Sequence, residues 1–210
     1  MIKILIADDH AIVREGLKQI VMETSDMIIA DEASNGHQAL KKVFKNDYDV
    51  VVLDITMPDI NGLDVLKQLK IQKPAIPILV LTMHPEEQYA MRMLRAGASG
   101  YLTKASASDE LISAIRKVSL GRKYVSATLA EKLAFELEGD TERLLHETLS
   151  DREYQVMCMI AGGKQVKQIA EELYLSIKTI STYRSRILEK MKMKNNAEIT
   201  RYAIKNRLVD

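Results

Sequence analysis

The chain has a single cysteine, Cys158, so no intramolecular disulfide can form. That usage suits a reducing cytoplasm. Cys158 lies within Val156-Met157-Cys158-Met159-Ile160, an apolar stretch that predicts a buried structural thiol. Long apolar runs are also missing. None approaches the roughly 20 residues of a membrane span, so no integral membrane segment is expected. No secretory leader is expected either: Ile2 to Ala7 is too short for a signal-peptide core and is followed at once by Asp8 and Asp9. Low-complexity segments are absent. Excess charge of one sign is absent too, at a net +1, but this balance hides an asymmetry. Residues 150–210 hold twelve Lys and Arg against seven Asp and Glu, whereas residues 1–149 hold eighteen against twenty-two. An acidic front and a basic tail predict two modules, the second facing nucleic acid.

Over the first 120 residues, apolar runs alternate with amphipathic stretches. The runs are Ile2 to Ala7, Met27 to Ala33, Val50 to Leu53, Ile78 to Leu81 and Gly100 to Thr103. They are rich in Ile, Val and Leu, which predicts strands covered on both faces. Helical periodicity marks Ala11 to Met22, His37 to Lys45, Gly62 to Lys70, Glu86 to Ala96 and Ser108 to Leu120. Five βα units in series predict a five-stranded parallel sheet with helices on both faces, an α/β fold with its site beyond the carboxyl ends of the strands. Ser126 to Leu137 predicts one more helix, and Glu138-Gly139-Asp140-Thr141 a linker. From Leu149 the pattern is all-α. Ser150 with Glu153 predicts a capping box. Helices are expected from there to Gly162-Gly163, over Val166 to Leu173, Ile177 to Met191 and Ala197 to Asn206. The expected division is therefore 1–120, a join at 121–148 containing a helix, and 149–210.

Four runs end in residues that can handle a phosphoryl group or a metal: Asp8 and Asp9, Asp54, Thr82, and Lys104. Three carboxylates in one place repel, and a divalent cation removes the conflict. Mg²⁺ favours oxygen ligands, and an aspartate beside it is a competent nucleophile for a phosphoryl group. A lysine ammonium and a threonine hydroxyl can hold the remaining oxygens. Each aspartate taken singly could merely cap the helix that follows its strand. Capping does not account for the whole set, and a metal site alone leaves Lys104 unexplained.

These residues, with Asp8-Asp9-His10, Asp54-Ile55-Thr56-Met57-Pro58-Asp59-Ile60-Asn61-Gly62, Leu81-Thr82 and Gly97 to Lys104, resemble the receiver domain of two-component response regulators. The resemblance implies a flavodoxin-like fold and phosphorylation of Asp54 by a sensor histidine kinase. It implies Mg²⁺ on Asp9 and Asp54, with Asp8 acting through water and the Thr56 backbone carbonyl completing the protein ligands. It makes Thr82 and Lys104 holders of the phosphoryl oxygens, Thr82 and Tyr101 the switch pair, and Thr56 and His84 residues that adjust phosphate lifetime. Two positions depart from the common pattern. Ala105 stands where many receivers have proline, which argues against a cis bond there. Met83 stands where many have a small residue, and its bulk is expected to hinder the phosphodonor or alter Thr82 movement.

In the tail, the short break between its second and third helices suits a helix-turn-helix. The third helix carries Lys178, Arg184, Arg186 and Lys190, opposed only by Glu189, beside an apolar stripe that predicts burial. A solvated basic face is the bland alternative. Leu149 to Glu153, Ile169 to Leu173 and Ser176 to Tyr183 resemble a LuxR-type helix-turn-helix, and the two resemblances together identify a member of the NarL/FixJ group. That implies a recognition helix in the DNA major groove, Ser181, Thr182 and Ser185 at base edges, and Lys178, Arg184 and Arg186 mainly on phosphates. Thr179 falls within the same DNA-binding set, and the last helix matches the family's dimer helix.

The expected function is thus a cytoplasmic transcription regulator, not an enzyme with a separate substrate. Its implied partners are a histidine kinase, double-stranded DNA, a second copy on phosphorylation, and RNA polymerase, with no membrane. The expected switch has the unphosphorylated modules packed together, hiding the recognition helix. Two alternatives stand beside it. One is a Mg²⁺-dependent aspartyl-phosphate phosphotransferase, although haloacid-dehalogenase-like enzymes show Asp-x-Asp after the first strand, whereas Asp54-Ile55-Thr56 lies on the third. The other is a DNA-binding regulator indifferent to phosphate.

Overall fold

The computed structural model describes residues 1–137 and 144–209. The linker expected at 138–141 lies outside the described residues. The chain divides into two compact units, Met1–Ala134 and Phe135–Asp210.

The first unit holds strands β1 (Ile2–Ala7), β2 (Met27–Ala33), β3 (Val50–Leu53), β4 (Ile78–Thr82) and β5 (Gly100–Thr103). They form one parallel sheet in the order β2-β1-β3-β4-β5. Between them run α1 (Ala11–Met22), α2 (Gly36–Lys45), α3 (Gly62–Gln72) and α4 (Glu86–Arg95). After them come α5 (Ala107–Ser119) and α6 (Ala127–Leu137), whose last three residues fall in the second unit. Alternate strand residues serve opposite faces. Ile4, Ile6, Val50, Val52, Leu79 and Leu81 meet Leu17 and Val21 of α1 and Leu111, Ile115 and Val118 of α5. Their neighbours Leu5, Val51, Leu53 and Val80 are equally buried and face the opposite side. Burying such side chains contributes about 1.5–3 kcal/mol each, which is why these short runs are strands despite having only four to seven residues.

One strand departs from expectation. β2 is an edge strand, with Ile28 and Ala30 exposed and Asp31 and Glu32 half-buried. The face that carries Ile28 and Ala30 stays open to solvent, so β2 is covered less completely than the inner strands. The join also begins differently. Tyr124 accepts from the Tyr101 amide at 3.1 Å and donates its own amide to Ser99 O at 2.9 Å, a short parallel bridge alongside β5. Ser126 then stands before α6, accepting from the Leu129 amide at 3.1 Å and donating to Glu86 Oε2 at 2.6 Å. The first part of the join therefore belongs to the first unit.

The second unit holds a 3₁₀ turn at Leu145–Thr148 and helices α7 (Asp151–Ala161), α8 (Val166–Glu172), α9 (Ile177–Lys190) and α10 (Asn196–Lys205). The Ser150–Glu153 capping box forms as expected. Helix ends follow αL geometry. After α7, Gly163 has φ 85° and the Lys164 amide reaches Met159 O at 3.0 Å. After α8, Tyr174 takes φ 55° and the Leu175 amide reaches Ala170 O at 2.9 Å. Tyr154, Met157, Ile169, Ile180, Ile187, Met191, Ile199 and Ala203 form the buried interior, and Cys158 is buried as expected. Among the described residues, no helix is long and apolar enough to cross a membrane.

Candidate functional site

Strand register gathers the first site. Ala7 lies opposite Leu53, and the Asp54 amide donates to Ala7 O at 2.9 Å, so Asp8 and Asp54 leave adjacent strands level with each other. Thr82 lies opposite Thr103, which puts Lys104 one residue past the Thr82 row. β1 is the strand from which the order runs both ways, to β2 on one side and β3 on the other, so the carboxylates stand at the switch point.

Lys104 Nζ lies 2.6 Å from Asp8 Oδ2 and 2.7 Å from Asp54 Oδ2. Asp8, Asp54 and Thr82 are buried, and Asp9 is half-buried. Burial pushes the Asp54 carboxyl up and the neighbouring Asp8 charge adds to it, outweighing the pull of Lys104. For Lys104, burial opposes the charge, but the two carboxylates hold the ammonium above its ordinary value. The Asp54 side chain also accepts from the Thr56 amide at 3.2 Å. One ligand atom from each of Asp8, Asp9, His10 and Asp54 falls within 4.8 Å of the others. Asp8 Oδ2 touches Lys104 and Asp9 Oδ1 touches the His10 ring at 2.9 Å, yet neither oxygen is held by a well-directed hydrogen bond. Buried acceptor capacity aimed into a carboxylate cluster fits a divalent cation.

The loops over the pocket are tied together. Thr56 Oγ1 and His84 Nε2 are 3.0 Å apart, linking the loop after β3 to the loop after β4. The His84 amide points to Thr82 Oγ1 at 3.4 Å, and the Tyr101 hydroxyl donates to His84 O at 2.9 Å. Tyr101 is buried, so its ring occupies the inward position, and burial pushes its phenol far up. Met83 is 75% exposed and stands at the surface, outside the carboxylate cluster. Among the described residues no peptide bond is cis, including the one at Ala105. Asp59, at φ 69°, accepts from the Gly36 amide at 3.0 Å and meets His37 Nδ1 at 2.6 Å, anchoring the β3–α3 loop to the start of α2.

The second site is the outer face of α9. Lys178, Ser181, Thr182, Ser185 and Arg186 are exposed, with Thr179 and Arg184 half-buried. Ser176 caps the helix through the Thr179 amide at 3.0 Å, and its hydroxyl pairs with that of Thr179 at 2.8 Å. Thr182 and Ser185 donate back to Lys178 O and Ser181 O. Arg184 is not free on that face: its Nε donates to Asn196 Oδ1 at 2.6 Å, at the start of α10. Glu189 is not the only acid opposing the basic side chains, because Lys190 pairs with buried Glu153 of α7 at 2.6 Å. Sequence reasoning missed this link, having assigned Glu153 only to its local cap. His10, quoted in the sequence motif without a role, lies with its ring 2.9 Å from Asp9 Oδ1.

Residues 4–116 match the family model of the response regulator receiver domain, and residues 147–203 match that of bacterial regulatory proteins, luxR family. The chain is 36% identical over 209 residues to the response regulator UvrY of Escherichia coli, covering 99% of this chain and 96% of that protein. It is 35% identical over 211 residues to the response regulator GacA of Pseudomonas aeruginosa, covering 100% and 99%. Among solved structures it resembles RcsB from Salmonella enterica serovar Typhimurium bound to promoter rprA in the presence of the phosphomimetic BeF3−. That match has a TM-score of 0.66 at 27% identity, over 96% of this chain and 98% of that one.

Proposed function

The chain belongs to the NarL/FixJ family of two-component response regulators, which regulate transcription, and on that premise we propose that phosphorylation of Asp54 is its switch. Residues 1–120 receive the phosphoryl group, 149–210 read DNA and 121–148 join them. A carboxylate oxygen of Asp54 attacks the phosphorus of a sensor kinase's phosphohistidine. The new O–P bond replaces the P–N bond, and the imidazole leaves. Lys104 neutralises a phosphoryl oxygen, and Thr82 donates its hydroxyl to another. Asp8, Asp9 and Asp54, with the Thr56 carbonyl, would hold Mg²⁺, which when bound supplies charge neutralisation at the phosphoryl oxygens.

The product is the phosphorylated protein itself, so no separate substrate is turned over. Phosphate drawing on Thr82 disturbs the loop in which His84 bonds both Thr56 and Tyr101. That change alters dimerisation and the grip of α9 on double-stranded DNA, where RNA polymerase is engaged. The cytoplasm is the setting for these partners.

The observation that carries this reading is Lys104 bridging Asp8 and Asp54 at 2.6 and 2.7 Å in a buried pocket at the sheet's switch point. The test is phosphate incorporation from acetyl phosphate with and without Mg²⁺, followed by oligomeric state and DNA binding. Wild type is expected to take up phosphate at Asp54 only with Mg²⁺ and to bind DNA more tightly as a dimer. If Asp54→Asn bound its operator as tightly as the phosphorylated wild type, in the same oligomeric state, the switch would be refuted. Multiple turnover on a small phosphomonoester would instead indicate a phosphotransferase.

A further inference from the structure

The first residues of the join lie zipped along β5. Lys123 Nζ donates to Ala98 O at 2.6 Å, and the Tyr124 backbone pairs with Ser99 and Tyr101 on either side of Gly100. Gly100 permits that approach, because a Cβ there would stand 2.8 Å from Tyr124 O. Ser126 ends the row, and its hydroxyl does two things at once. It donates to Glu86 Oε2 at 2.6 Å and accepts from the Leu129 amide at 3.1 Å, which makes it the cap of α6. Glu86 opens α4 directly after the loop that carries His84 and Pro85. Both carbonyls of that loop face the Tyr101 hydroxyl, His84 O at 2.9 Å and Pro85 O at 3.4 Å, and the His84 amide points to Thr82 Oγ1 at 3.4 Å. Contacts and backbone therefore run without a gap from Thr82, through His84 and Glu86, to the cap of α6.

We propose that the Glu86–Ser126 hydrogen bond is a latch that holds the start of α6 while Asp54 is unphosphorylated and opens when Asp54 is phosphorylated. This rests on the reading of Asp54 as the phosphate acceptor. A phosphoryl group there needs donors for its oxygens, and the Thr82 hydroxyl stands on the adjacent strand. Drawn to phosphate, Thr82 Oγ1 leaves the His84 amide, the loop resettles and Glu86 moves with it. The latch tolerates little displacement, since a bond stretched to about 3.6 Å is no longer a hydrogen bond. α6 then loses the anchor of its first turn. That helix is where the chain passes from one unit to the next, its last three residues falling in the second. The state of the phosphate site is thereby written onto the element that leads toward the DNA-reading unit.

The test follows amide hydrogen exchange of the full chain by NMR, before and after phosphorylation with acetyl phosphate and Mg²⁺. The reporters are Leu129 and Ala130, whose amides bond Ser126 Oγ and Ser126 O. Wild type is expected to exchange about fivefold faster at both once phosphorylated, the equivalent of roughly one hydrogen bond. Glu86→Ala opens the latch and leaves the Ser126 cap in place. It is expected to show the faster exchange without phosphate and to gain less than about twofold from it. Glu86→Gln keeps an acceptor for Ser126 and is expected to restore the wild-type pattern. A Glu86→Ala protein that matches wild type in both states overturns the latch, as does a Glu86→Gln protein that matches Glu86→Ala, which would place the effect on charge. A wild type that takes up no phosphate, read from the mass of the intact chain, overturns the Asp54 reading and the latch with it. Phosphorylated wild type with unchanged exchange at Leu129 and Ala130 overturns the latch alone.

Discussion

Glu153 Oε2 accepts from Lys190 Nζ at 2.6 Å and from the Ser150 amide at 2.8 Å, so one buried carboxylate fastens the start of α7 and the last turn of α9. The carboxylate that caps one helix thus also ties down the last turn of another. Burial pushes the Glu153 carboxyl up, but Lys190 and Ser150 outweigh it and hold it below the usual glutamate range. A depressed carboxylate stabilises the fold at pH above its unfolded value of about 4.3 and loses that contribution as pH falls through the lower folded value. Glu153→Gln is expected to cost about 1–3 kcal/mol at neutral pH and to flatten the acid limb of stability below about pH 4.3. Calorimetric scans of the full chain across pH check this. An unaltered acid limb would mean that the Lys190 link contributes nothing.

Lys104 is the counter-charge to Asp8 and Asp54, and without it two buried carboxylates face each other. Removing one partner of a buried pair typically costs about 3–5 kcal/mol. Lys104→Met is expected to lower the melting temperature of the first unit in chelator and to recover part of the loss when Mg²⁺ is added. Thermal melts with EDTA and with Mg²⁺ decide it, and a variant as stable as wild type in EDTA would contradict the argument.

The Thr56–His84 hydrogen bond ties the loop after β3, which begins at Asp54, to the loop after β4. A net hydrogen bond is worth about 1 kcal/mol, or roughly fivefold in a rate. His84→Ala is therefore expected to shorten the life of the Asp54 phosphate a few-fold by admitting water, as read by the decay of protein labelled from radioactive phosphodonor. A longer life would show that His84 positions the attacking water instead of screening it.

Gly62 is required by close approach. A Cβ there would lie 2.0 Å from Asp54 O and 2.8 Å from Ile55 Cα, both backbone atoms with no room to give. Gly62→Ala is expected to destabilise the first unit by about 1–3 kcal/mol or more and to slow phosphate uptake, because relief of the clash moves Asp54. Chemical denaturation together with uptake kinetics tests both halves, and full uptake at wild-type rate would contradict the coupling.

On α9, Arg186 is exposed while Arg184 is tied to Asn196. Arg186→Ala is expected to reduce the slope of log affinity against log salt by about one, the signature of a lost phosphate contact. Arg184→Ala is expected to change that slope less and to loosen the α9–α10 junction. Anisotropy titrations of operator DNA at several salt concentrations separate the two, and equal slope changes would place Arg184 on a phosphate after all.

Periodicity and punctuation carried the elements. Strands β1, β3 and β5 begin and end where their apolar runs do, and α7 stops at Gly162-Gly163, because these boundaries depend on local chemistry. The acidic set was legible because parallel strands bring their carboxyl ends to one edge wherever each lies in the sequence. What was not legible depended on partners distant in the chain. β2 reads as apolar, yet only strand order puts it at an edge. Tyr124 reads as part of a join, yet it pairs beside β5. Arg184 and Lys190 read as free cations, yet Asn196 and Glu153 hold them.

The order of residues by itself determined that Asp8, Asp9, Asp54, Thr82 and Lys104 end strands and that a basic helix follows a three-residue turn. Periodicity, capping and charge are local properties that a chain carries whatever it folds against. Only the tertiary structure decided which of those charges meet: Lys104 between Asp8 and Asp54, His84 on Thr56, His10 turned onto Asp8 and Asp9. An ion pair or a ligand set exists only at contact distance, and contact distance is set by strand register and helix packing.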